Sequence, residues 1–135
     1  MSLINWEESL SVNIKEIDLQ HQKLIQIIND LHEAMRQKKT QDLLGKIIDE
    51  LIAYTSTHFL TEEAYFEKYQ YGDRLSHKRI HTDFVKKVGE FKKEFSAGKL
   101  MLSMEIMTFL KEWLVKHIQG DDKKYGPFLN SKGVV

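Results

Sequence analysis

The sequence predicts an all-α protein, an antiparallel up-down-up-down four-helix bundle preceded by a non-helical arm. Three observations lead there. Apolar residues recur at spacings of three and four in four separate stretches, the period of one buried stripe on an amphipathic helix. Strand-type alternation of β-branched residues is scarce. The breaks between the four stretches are only a few residues long, so consecutive helices must lie side by side and run in opposite directions. At 135 residues the chain is expected to be one domain, 1–135, with no internal repeat or low-complexity tract to divide it.

The elements follow in order. Residues 1–16 read as the arm, with Trp6 and Ile14 as its anchors to the bundle. The first stripe is Ile17, His21, Leu24, Ile28, Leu31 and Met35. Lys38-Lys39-Thr40 separates it from the second, and Thr40 is a fitting N-cap because its hydroxyl can accept from a free backbone N–H. The second stripe is Leu44, Ile48, Leu51, Thr55, His58, Glu62 and Tyr65, closed by Gln70-Tyr71-Gly72-Asp73. The third is His77, His81, Phe84, Val88, Phe91 and Phe95, closed by Ser96-Ala97-Gly98-Lys99. The fourth is Ile106, Leu110, Trp113, Leu114 and His117, with Gly120 read as its stop. The bundle thus spans about 17–119 and a tail about 120–135, loosely docked from Phe128 onward. The only proline, Pro127, falls beyond every helical stretch.

Composition narrows the chemistry. Twenty basic and twenty acidic residues balance, which gives no reason to expect nucleic acid or an anionic membrane as partner. With no cysteine, disulfides, thiolate zinc sites, iron–sulfur clusters and cysteine nucleophiles are excluded. No apolar run approaches the roughly 18 residues of a membrane span, and the opening MSLINWEESLSV has neither the basic start nor the apolar stretch of an export signal. A soluble cytoplasmic protein is expected. No large apolar stripe faces outward, so a monomer is expected as well.

The anomaly lies within the buried stripes, which are apolar apart from a few positions that are nearly all metal-ligand types. His21 is in the first stripe. His58 and Glu62, four apart, are in the second; His77 and His81, four apart, open the third; His117 closes the fourth. Residues four apart sit one turn above each other on one face. In an antiparallel bundle all of them fall at the same end, as one layer of five imidazoles and a carboxylate. A lone histidine on an apolar face is more often a hydrogen-bonded core residue. Five at one level would cost several kcal/mol per poorly satisfied group, and a domain has only about 5–15 kcal/mol of net stability. A bound metal removes that penalty. The sixth histidine, His32, is a control: eleven residues beyond His21, it lies about 16 Å further along the helix at ~1.5 Å per residue and belongs to the surface or bundle wall.

Imidazole with carboxylate suits iron, zinc or copper, and the lack of thiolate does not favour zinc. Five histidines exceed what one catalytic metal commonly takes, so two metals bridged by carboxylates fit the count better. Glu62 supplies one bridge, and Asp121 or Asp122, just past His117, supplies the other.

The residues that carry this pattern are Ile17-Asp18-Leu19-Gln20-His21, His58-Phe59-Leu60-Thr61-Glu62-Glu63, His77-Lys78-Arg79-Ile80-His81, and the run from Trp113 through His117, Asp121 and Asp122 to Tyr125. In order and spacing they resemble the hemerythrin family, in particular its single-domain bacterial members, the bacteriohemerythrins. The resemblance covers Trp6 to Tyr125. It implies two non-haem iron ions with an oxo or hydroxo bridge. His77, His81 and His117 would hold one iron, His21 and His58 the other, and Glu62 and Asp122 would bridge both. Asp121 would then be a solvated neighbour. Counting ligands, the first iron has six and the second five, so dioxygen would bind reversibly at the second. Leu114 is the expected cover of that position, with Trp113, Phe59, Ile25 and Ile118 as walls of a dry pocket. Asp18, Gln20 and Glu63 are candidates for supporting or capping roles. Phe66 stands where relatives often have methionine, and Gly72 where proline often follows the tyrosine; neither is expected to touch the ligands.

The implied function is oxygen binding for storage, delivery or sensing, without catalytic residues and with an oxygen-consuming enzyme as a conceivable recipient. The alternatives are a di-iron redox enzyme (oxidase, peroxidase or nitric-oxide handling) and iron storage. Ferritin-like enzymes use four or more carboxylates and two Glu-x-x-His motifs, and no histidine here has glutamate three residues before it.

Overall fold

In the computed structural model, residues 2–135 are described; Met1, part of the expected arm, lies outside them. Four long helices form the bundle: α1 (Lys15–Arg36), α2 (Gln41–Tyr69), α3 (Arg74–Ser96) and α4 (Met104–Lys116). There is no strand among the described residues. Helix α1 packs on α2 and on α4, and α2 on α3, as short antiparallel connections require. The stripes face inward as the period demands. Ile17, Leu24, Ile28 and Leu31 of α1, Leu44, Ile48 and Leu51 of α2, Phe84, Val88 and Phe95 of α3, and Leu110 and Leu114 of α4 are all buried. Met35, Tyr65, Phe91, Ile106 and Trp113 lie half-buried at the edges of their stripes. No helix is long and apolar enough to cross a membrane.

The helix ends have local causes. Thr40 caps α2, its hydroxyl accepting from the Leu43 N–H at 3.2 Å. Ser103 caps α4 in the same way through the Ile106 N–H. Helix α3 stops before Gly98, whose φ of +73° is the left-handed turn that glycine adopts without a Cβ penalty.

Two expectations need correction. Residues 1–16 are not wholly irregular: Glu8–Leu10 forms a 3₁₀ turn, and α1 begins at Lys15. Ile14 anchors the arm as expected and Trp6 is half-buried, but Ile4, Leu10 and Val12 are buried too. Asp18 ties the arm down, accepting from the Val12 N–H at 2.8 Å and the Ser11 hydroxyl at 2.5 Å. Asn29 pairs with both backbone groups of Ile4, each at 2.9 Å.

Gly120 is not a stop. The last helix passes through it in a π-helical segment, His117–Asp122, and continues as α5 (Lys123–Ser131) with Pro127 inside it. A glycine in a helix is only weakly unfavourable when packing rewards the continuation. The reward here is burial of Ile118, Tyr125 and Leu129, each with no exposed surface. The tail is therefore a docked helix, with Phe128 and Val134 packed on the core.

Arm and α5 meet at Gly126, where an added Cβ would stand 2.8 Å from the Val12 carbonyl oxygen. In an open helix, glycine to alanine stabilises by about 1 kcal/mol. Here Gly126→Ala is expected to destabilise by about 1–3 kcal/mol, the range for overpacking, and urea denaturation reads the sign directly.

Candidate metal centre

The antiparallel arrangement sets the depth of each polar side chain. His21 is in the second turn of α1, His58 and Glu62 lie late in α2, His77 and His81 open α3, and His117 begins the π segment after α4. All come to one end of the bundle, where His21, His58, Glu62, His77, His81, His117 and Asp122 are each at most 4% exposed. Their ligand atoms form two groups, each within 4.8 Å: Glu62, His77, His81, His117 and Asp122 in one, His21, His58, Glu62 and Asp122 in the other. The two carboxylates belong to both. Asp122 presents Oδ2 to His21 Nε2 at 3.0 Å, and Oδ1 to His77 Nε2 at 3.0 Å and His117 Nε2 at 3.1 Å. Glu62 Oε1 stands 3.2 Å from His58 Nε2 and 3.3 Å from His81 Nε2.

The π segment is what admits Asp122. In an α-helix, at 3.6 residues per turn, a residue five beyond His117 would point about 140° away from it. A π turn closes on the fifth residue and returns it to nearly the same face. His117 therefore has Asp121 on its outer nitrogen and Asp122 on its inner one.

The outer nitrogens explain the inward orientation. His58 Nδ1 meets Gln20 Oε1 at 2.6 Å, His81 Nδ1 meets Glu63 Oε2 at 2.9 Å, and His117 Nδ1 meets Asp121 Oδ2 at 3.0 Å. Each partner is an acceptor, so each Nδ1 carries the proton and leaves a lone pair on Nε2. His81 Nε2 and His117 Nε2 then face each other at 3.1 Å. At that distance the two nitrogens must share a positive charge, a proton on His117 in the metal-free chain or a metal ion in its place. His21 Nε2, His77 Nε2, Glu62 Oε1 and both Asp122 oxygens are buried without a hydrogen-bond partner. A cation-sized demand thus converges from every side, and the donor set fits a metal.

Charge within the cluster acts in the same direction. Burial raises Asp122, yet the neighbouring His117, His21 and His77 hold it well below the usual carboxylate range. Burial and Asp122 raise Glu62, while His58 and His81 outweigh them and bring it to about 2. Burial lowers His117, but Asp122 and Glu62 lift it to about 9. Without metal, a proton does part of the work of the cation.

The Hemerythrin HHE cation binding domain matches residues 12–129 of this sequence. The chain belongs to the hemerythrin family. It is 39% identical to a bacteriohemerythrin of Stenotrophomonas maltophilia over 93% of this chain and 80% of that one. It is 33% identical to a bacteriohemerythrin of Methylococcus capsulatus over 97% of this chain and all of that one. A wild-type hemerythrin crystal structure superposes with a TM-score of 0.88 at 32% identity, over 93% of this chain and 97% of that one, and a leucine-to-alanine hemerythrin variant gives 0.89.

Within this hemerythrin fold, the structure brings together all seven residues singled out as ligands and places Asp122 rather than Asp121 inside. It revises several neighbours. Asp121 is not simply solvated, since it holds His117 Nδ1. Phe66 does touch the cluster, packing edge-on against His77 with ring centres 4.8 Å apart. Phe59 stacks on His81 at 3.7 Å and Trp113 on His117 at 4.6 Å, so both wall the three-histidine side. Leu114, Ile25 and Ile118 are buried; Leu114 and Ile25 lie one turn further into the bundle than His117 and His21. Gln20 and Glu63 support ligands, whereas Asp18 serves the arm. Tyr125, to which the sequence gives no role, donates its hydroxyl to Glu62 Oε2. Its place eight residues after His117 points to the cluster only because the helix continues through the π segment into α5.

A metal ion must displace the proton that His117 keeps up to a pH of about 9. Because this pKa is raised, the competing proton stays bound from the free-imidazole value of about 6.5 up toward 9 and is lost as pH rises through 9. Metal affinity is expected to rise with pH across that interval, with acid released on binding. Metal titrations in weakly buffered solution, with a pH electrode, check both; an affinity flat from 6.5 to 9 would contradict the assignment.

Proposed function

We propose that this chain binds dioxygen reversibly at a pair of non-haem iron ions, as a carrier, store or sensor of oxygen and not as a turnover enzyme, with the whole of residues 1–135 working as one domain. The observation that carries the reading is the pair of donor groups that share Glu62 and Asp122 but differ by one imidazole. His77, His81 and His117 would hold one ion, His21 and His58 the other, and the two carboxylates would lie between them with an oxo or hydroxo bridge. The ions would supply the chemistry protein side chains lack, two electrons lent to dioxygen and taken back.

The rest is done by the chain. The side with two imidazoles has one donor fewer, which directs a small ligand there, beside His21 and His58. Leu114 and Ile25 supply a dry apolar layer just inside it and Ile118 a further buried apolar neighbour, so a neutral diatomic molecule enters at little cost while water and ions are disfavoured. Phe59, Trp113 and Phe66 fix the rings of His81, His117 and His77, and the groups on the outer nitrogens keep His58, His81 and His117 from turning. Two carboxylates among seven donors is a small negative charge for two ions. High oxidation states are poorly stabilised by such a set, which favours release of oxygen over its consumption. A cytoplasmic monomer supplying an oxygen-consuming enzyme is the setting this reading implies.

Anaerobic reconstitution with ferrous iron should give two ions per chain. Admitting oxygen should raise a charge-transfer band that fades on purging with inert gas. His58→Ala or Glu62→Ala should remove the band and lower the iron content. Sustained oxygen consumption with a reductant, or a band that survives purging, would refute the carrier reading.

A further inference from the structure

Seven side chains account for the centre, and an eighth acts on it from one position outside. Tyr125 is completely buried, and its hydroxyl donates to Glu62 Oε2. Glu62 Oε1, by contrast, accepts no hydrogen bond and faces His58 and His81. Neither oxygen of Asp122 accepts one either. The phenol therefore holds the one carboxylate oxygen in the cluster that has a hydrogen-bond donor.

The ring has no freedom to leave. It packs edge-on against Phe66 with centres 5.1 Å apart, lies 5.7 Å from His77, and meets Tyr71 edge-on at 6.4 Å. It sits three residues after Asp122 on the continuing helix, hence on the same face. One stretch of backbone thus delivers one shared carboxylate and the group that orients the other.

We propose that Tyr125 is a positioning residue for the metal centre: its hydroxyl fixes the rotation of the Glu62 carboxylate and withdraws charge from it, so that Oε1 is presented to both donor groups before any ion binds. A glutamate has three rotatable bonds, and without the phenol Glu62 Oε2 would lose the one hydrogen-bond donor that holds it. Preorganisation of this kind is what groups behind a ligand contribute to metal affinity. The inference rests on the metal assignment above but not on oxygen.

The decisive variant is Tyr125→Phe, which deletes the hydroxyl and keeps the ring against Phe66, His77 and Tyr71. Ferrous affinity, measured by anaerobic competition with a chromophoric chelator, should fall about 10- to 100-fold, the usual cost of losing such a partner. Tyr71→Phe, which alters a phenol in the same aromatic cluster, should leave it unchanged. In the metal-free protein, the infrared carboxylate band that disappears in Glu62→Gln should shift in Tyr125→Phe. If Tyr125→Phe does not fold, fluorotyrosines placed at 125 keep the shape and grade the donor strength; affinity that tracks phenol acidity supports the role, and affinity indifferent to it overturns it. Tyr125→Phe with wild-type affinity and an unmoved carboxylate band likewise overturns the inference and leaves the di-iron reading standing. A wild-type chain that takes up no iron overturns that reading instead, while the infrared shift still decides the hydrogen bond.

Discussion

Five imidazoles and two carboxylates occupy a single solvent-excluded layer, with lone pairs and negative charge aimed at one another across about three ångströms. In an apolar core such groups lose their hydration and gain nothing from mutual approach unless something positive stands among them. Most of the structure around that layer can be read as a consequence. The outer nitrogens are tied so that the inner ones face the cluster. The rings are clamped by aromatic neighbours. The end of the last helix is unwound by one residue to bring in a second carboxylate. Each device would be wasteful in a bundle that only had to be stable, because hydrophobic residues of similar volume would pack as well without the electrostatic risk.

The same constraint explains the asymmetry of the centre. Three elements, α2, α3 and the π segment, converge on one donor group, whereas α1 adds a single imidazole to the other. Helix α1 is also the element on which the arm is fastened, through Asp18 and Asn29. The arm rests in turn on α5 at Gly126 and through Asn130, which donates to the Asn13 carbonyl. The end of the bundle that holds the centre is thereby covered by the later part of the arm together with α5. A four-helix bundle by itself leaves its ends open to water, and here arm and α5 complete the wall that a dry site requires.

Much of this was legible in the residues. The 3.6-residue period marks four helices, and polar residues that interrupt it at His21, His58, Glu62, His77, His81 and His117 mark the layer, because polar groups buried at matched depth need a shared positive charge to offset their desolvation. The misreadings share a cause. Gly120 looks like a stop and Pro127 like a residue outside any helix, since local propensity disfavours both in a helix interior. Packing of Ile118, Tyr125 and Leu129 outweighed that preference. Phe66 looked remote from the ligands because sequence separation says nothing about which ring lies across the core. Asp121 and Asp122 are equally plausible by spacing, as the choice depends on the hydrogen-bond pattern of a single turn.

The sequence by itself determined the helical class, the number and direction of the four bundle helices, and the layer of five histidines and Glu62 among them. Those follow from periodicity and short connections, which are local properties of the chain. Tertiary structure alone decided that the last helix continues through a π turn, that Asp122 faces inward while Asp121 braces His117 from outside, and that Tyr125 reaches Glu62. Each of these balances a small local cost against contacts with residues distant in the chain, and only the folded arrangement shows which side of that balance prevails.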